Sequence, residues 1–221
     1  MADPAENQTE TLNPWFSIWL SPRATIKQTL THPPSPYFLI LLAGLYGITY
    51  AIGKAASRGI ADHHSLGIIL ASCFILGPIS SILWIYVYGF VIRLTGQWLD
   101  GKASYRSTIT AISYAYIPAI WALPLMLSQF ALLGPAYFYS ELPNYLSDEG
   151  LLLLSSGLMG IAEAILCLWG FFSFIFVLSE VQSFSAWRAL GNILLAAMLI
   201  LIGLISLTTL GTIVLAIFAR I

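Results

Sequence analysis

The sequence predicts an all-α integral membrane protein, a five-helix transmembrane bundle preceded by an interfacial amphipathic helix. Three observations carry that expectation. Apolar residues make up 58% of the 221 positions and charged residues only 9%, where soluble chains carry roughly 25% charged. The charges are also segregated: residues 28–53, 107–140 and 189–219 contain no Asp, Glu, Lys or Arg. A span needs about 20 mostly apolar residues to cross a hydrocarbon core of roughly 30 Å, and each run is long enough. Finally, two tryptophans, Trp15 and Trp19, precede the first run, as expected of a segment at the headgroup level.

Residues 1–12 are acidic and polar, with Asp3, Glu6 and Glu10. They lack the basic start and apolar stretch of a secretory signal and are expected to be a disordered tail. Residues 13–32 are expected to lie on the membrane. Trp15 and Trp19 sit in a run with Phe16, Ile18 and Leu20, and Ser21-Pro22 has the form of a helix start. Arg23 and Lys27 then share one helical face, positioned for lipid phosphates. Pro33, Pro34 and Pro36 turn the chain into the bilayer.

The membrane domain is expected over 33–221, with spans near 37–55, 66–94, 108–133, 151–178 and 189–218. The first span carries Ala43, Gly47, Ala51 and Ala55 at four-residue spacing. In lipid such a stripe lets backbones approach closely, and it is read as a packing face within the chain, with self-association as the other use. Gly77-Pro78 interrupts the second span and predicts a kink. Pro118 and Pro124 predict that the third is bent or broken. Irregular backbone at that depth is tolerated only where protein or trapped water satisfies it. The fourth span contains one acid, Glu163. The fifth is long enough to tilt or project.

With five spans, Arg23, Lys27, Arg93, Lys102, Arg106 and Arg188 fall on the side of the N-terminus, and Lys54, Arg58 and Arg220 on the other. The excess places the N-terminus in the cytoplasm and the C-terminus outside.

Glu163 is the most informative candidate for chemistry. An ionised group deep in the bilayer costs about 2.5–3.5 kcal/mol or more, so it must be neutral, paired or in a wet cavity. Tyr114, Tyr116 and Ser128 on the third span are possible partners. Asp62-His63-His64 has metal-ligand residue types, but adjacent histidines diverge and no second ligand cluster accompanies them, so no metal site is assigned. Cys73 and Cys167 are read as small core residues rather than a disulfide. No catalytic residue or cofactor is assigned, because no nucleophile elbow, Walker loop, dinucleotide fingerprint or zinc-protease motif is present. A net charge of −1 offers no bulk attraction to nucleic acid.

The order of the short motifs resembles a known family. Asn13-Pro14-Trp15 followed by residues 19–26 resembles the opening of bacterial members of the Ypt-interacting-protein (Yip) family. Leu76-Gly77-Pro78-Ile79 looks like that family's Gly-Pro motif. The stretch from Thr95-Gly96 to Lys102, and then Tyr114 and Tyr116 leading to Pro118, looks like its loop and third span. The resemblance implies five helices, a cytoplasmic N-terminus and, for the bacterial branch, residence in the inner membrane. Eukaryotic relatives bind prenylated Rab-type GTPases and shape or sort membrane.

Two functions are open at this level. One is a non-enzymatic scaffold that organises the bilayer or binds a partner, either another membrane protein or a second copy. The other is a small transporter or channel that uses Glu163 in a cavity between proline-broken helices.

Overall fold

The computed structural model of the chain describes residues 12–141 and 149–218. The predicted acidic tail, Asp148 and Arg220 lie outside them, Leu12 apart. Among the described residues all regular structure is helical. Five helical units are long and apolar enough to cross a membrane: Pro36–Ser57, Leu66–Trp98, Tyr105–Phe138, Gly157–Gln182 and Ala186–Ile213.

The N-terminal segment is a pair of short helices, α1 (Pro14–Leu20) and α2 (Pro22–Thr31). Asn13 starts α1 by accepting a hydrogen bond from the Trp15 amide, with Pro14 at the first helical position, where its missing N–H costs nothing. Ser21 separates the two helices, and its side chain makes no cap. The pair docks on the bundle through Ile18 and Ile26, both fully buried.

The first span, α3 (Pro36–Ser57), is capped by Ser35, whose hydroxyl accepts from the Phe38 amide at 3.3 Å. The second begins as α4 (Leu66–Ala71), widens into a π-helical turn over Ser72–Leu76, and continues as α5 (Gly77–Trp98). The cause is Pro78, which has no N–H for the carbonyl four residues earlier and whose ring crowds it. A wider turn absorbs that conflict without ending the helix. The third span is in three pieces: α6 (Tyr105–Ala115), α7 (Ile117–Ile120) and α8 (Ala122–Leu133). Its breaks, at Tyr116 and Trp121, precede Pro118 and Pro124 by two and three residues, where the same steric conflict falls. The last two spans are α9 (Glu149–Gln182) and α10 (Ala186–Phe218).

The two ends of the bundle differ. The near end carries α1, α2 and the loops 99–104 and 183–185. There α2 lies on α9 and α6, and α1 on α7, so the main core gathers here. At the far end α10 stands apart: Leu201, Leu204, Leu207, Leu210 and Ile213 are all exposed.

Candidate functional site

The small-residue stripe and the Gly-Pro motif meet each other. A Cβ on Gly47 would collide with the Gly77 carbonyl and come within 2.7 Å of the Ser81 Cβ. One on Gly77 would meet the Ala51 Cβ at 3.0 Å. Ala43 and Ala55, further along α3 on either side, are also buried, Ala55 in a second core cluster with Ile69 and Cys73. The stripe is therefore filled by α5 of the same chain, and close backbone approach is what it provides.

Around that tight pair the bundle is not filled. A cavity of about 590 Å³ lies among α3, α5, α6, α7, α9 and α10. A smaller one of about 250 Å³ lies against α3, α8 and α9. They adjoin across Tyr46, Ala119 and Cys167, which line both. The room has a local origin. The breaks at Tyr116 and Trp121 fall beside it, and small residues, Ala115, Ala119 and Gly170, line it. At Gly170 a Cβ would make ordinary contact with the Ala115 carbonyl oxygen, at 3.6 Å, and with the Pro118 Cβ, at 3.9 Å.

The larger cavity is aromatic. Tyr46 stacks on Tyr116 with ring centroids 3.8 Å apart and planes 3° from parallel, and Tyr88 and Trp84 stand across from them. The smaller cavity holds the charges. Glu163 reaches it from α9 and Lys54 from the last turn of α3. The Gln129 side-chain amide on α8 donates to Glu163 Oε1 at 3.3 Å.

Gln129 is thus a partner of the acid, in place of the three residues the sequence suggested. Helix α9 runs antiparallel to the third span, which sets Glu163 level with α8. Tyr114 is four turns away along the span, beside Phe38 and Thr29. Tyr116 faces Tyr46, and the Ser128 hydroxyl donates to the Leu125 carbonyl. Cys73 is buried as expected, whereas Cys167 is exposed in the cavity wall rather than packed in the core.

The N-terminal candidates form a separate group. The Trp19 carbonyl, left open at the end of α1, accepts from the Trp169 indole at 3.1 Å. The Trp19 indole donates to the Trp15 carbonyl. Arg23 lies over the Phe176 ring, 5.5 Å from its centroid, and Lys27 is exposed. None of these residues lines the two cavities.

Sequence reasoning missed a third cluster, at the near end. Gln182 and Asn192, 1% and 0% exposed, point at Gly96, where a Cβ would strike Gln182 and come within 3.1 Å of Asn192. Gln182 accepts from the Ala103 amide at 3.2 Å, and Thr95 donates to Asn192 at 2.6 Å. The Arg188–Asp100 ion pair closes the outside. The Thr95-Gly96 motif is where the loop 99–104 is pinned to the α9–α10 corner. The available signal was one amide, Asn192, in an otherwise apolar stretch; Gln182 sits among polar neighbours, Glu180 and Ser183.

Among the loop residues, Asp62 accepts from both the Ser140 hydroxyl and the Ser140 amide. These bonds to the ionised form hold its carboxyl below the usual range. It is a tie between far-end loops; among the described residues no group of three or more His, Cys, Asp or Glu is arranged to hold a metal ion.

No curated protein and no solved structure matches the chain. The family model of the Yip1 domain matches residues 16–207, from α1 to the outer part of α10. That span takes in the Gly77-Pro78 contact, the broken third span and the loop pinned at Gly96, and the chain therefore belongs to the Yip1-domain family.

Proposed function

We propose that this protein is a non-enzymatic scaffold that organises the bilayer at its near end, which faces the cytoplasm. The observation that carries the reading is the two-sided exposure of the α1–α2 pair. Ile18, Thr25 and Ile26 fix the pair to the bundle, while Phe16 and Leu20 are 64% and 87% exposed. Arg23 and Lys27 are exposed on α2. Exposed apolar side chains beside tryptophans suit the acyl boundary, and the cations suit lipid phosphates just above it. The six-to-three excess of cations on this side supports the orientation.

The test uses the full chain, with its other five tryptophans replaced by Phe, reconstituted with a labelled anionic lipid and followed by energy transfer from Trp15 and Trp19. Each basic residue near an anionic surface contributes about 1 kcal/mol, so Arg23→Glu with Lys27→Glu should lower local enrichment by about thirtyfold or more. Unchanged enrichment would remove the reading.

One observation favours a second reading, passage of a small solute. Glu163 lines a cavity beside a proline-broken helix, and broken helices commonly frame membrane binding sites. Equal liposome flux for wild type and Glu163→Gln would exclude it.

A further inference from the structure

The two cavities together have the form of an amphiphile. Along α3, Tyr46, Tyr50 and Lys54 stand at successive four-residue steps on one face. Tyr46 borders both cavities; Tyr50 and Lys54 border only the smaller one. The face therefore passes from the apolar chamber to a charged one within two helical turns. The larger chamber is walled by residues such as Phe174 and Leu204, and exposed Trp84 and Leu201 mark its mouth between α5 and α10, where the surrounding phase is lipid.

In the smaller chamber, Lys54 and Glu163 share a wall without pairing. Among the described residues the ion pair within 4.0 Å is Arg188–Asp100, at the opposite end of the molecule. Opposite charges held apart in a cavity of about 250 Å³ fit a ligand that carries both signs. A carboxylate and tyrosine rings are what an ammonium group takes, through a charge-assisted hydrogen bond and cation–π attraction. A lysine ammonium is what a phosphate takes.

We propose that the paired cavities bind a zwitterionic phospholipid bearing an ammonium group. Its ammonium meets Glu163 and Tyr50, its phosphate meets Lys54, and one acyl chain enters the larger chamber past Tyr46 and Cys167. Both volumes together fall in the range of about 300–1,000 Å³ typical of small-molecule sites. Binding requires no passage across the bundle, and it does not depend on the lipid-surface role of Arg23 and Lys27.

The test is native mass spectrometry of the full chain. The protein is purified and offered equal amounts of phosphatidylethanolamine and phosphatidylglycerol, which share acyl chains and phosphate and differ in the ammonium. Wild type should retain the ethanolamine lipid at least about tenfold better, the order expected for one charge-assisted contact of 1.4 kcal/mol or more. Glu163→Gln should abolish the preference, and Lys54→Gln should weaken retention of both lipids. Equal retention by wild type, or a preference that survives Glu163→Gln, would overturn the proposal. Should the Glu163 variant fail to fold, Cys167→Phe fills the junction without touching charge. It should expel the lipid, and undiminished retention in that variant overturns the proposal equally.

Discussion

At the scale of single residues, glycine has two opposite meanings in this chain. At Gly47 the absent side chain is what allows contact, since a Cβ would run into the Gly77 carbonyl. At Gly67, on α4, a Cβ would meet nothing within 4 Å. The same substitution should therefore change sign between the two. Gly47→Ala forces backbone apart, and overpacking of that kind costs about 1–3 kcal/mol. That outweighs the gain in helix propensity of about 1 kcal/mol that alanine brings. Gly67→Ala keeps only the gain and should stabilise by up to about 1 kcal/mol. Unfolding of both variants in mixed micelles checks the pair. A neutral or stabilising Gly47→Ala would mean that α3 and α5 are not held by this contact.

At the scale of elements, legibility followed the range of the physics. Helix starts at Asn13, Ser35 and Pro22, the π turn before Pro78 and the breaks before Pro118 and Pro124 all follow from residues within four positions. Such features can be read from sequence because their causes are local. Span ends were less legible. The second unit runs to Trp98, and the third starts at Tyr105 and continues to Phe138, because charged and polar residues such as Arg93 and Arg106 continue a helix that has already left the apolar belt. The candidate site divides in the same way. Glu163 stood out alone, since an acid in an apolar run is costly wherever it lies. Gln129, Lys54 and Tyr50 did not, since only the antiparallel register of α9 with α8 and α3 makes them neighbours. The docking of α1 was likewise hidden: Ile18 and Phe16 are both apolar, and their positions alone do not say which one faces protein.

At the scale of the whole molecule, the bundle is wider at one end. The α1–α2 pair adds cross-section from the near end down to about mid-span, where Phe16 lies by Trp121 and Trp19 by Trp169, and not to the far end. At the far half α10 separates from its neighbours, and lipid can enter between them. A body of that shape displaces more volume in one leaflet than in the other, so it favours a bilayer curved with the near leaflet outward. Amphipathic insertions respond to curvature for the same reason. Full-length protein in giant vesicles, with the near end outward, should therefore concentrate on membrane tubes pulled from them relative to a lipid dye. The widening depends on docking. Ile26 is fully buried, and Ile26→Asp would place an unpaired carboxylate there, at a cost that releases the pair from the bundle. Released helices no longer widen the folded body, so the variant should lose most of its enrichment on tubes while its five spans stay inserted. Equal enrichment in the variant would show that the wedge lies elsewhere. Absence of enrichment in wild type would show that the asymmetry of the fold is taken up by lipid filling the gap beside α10.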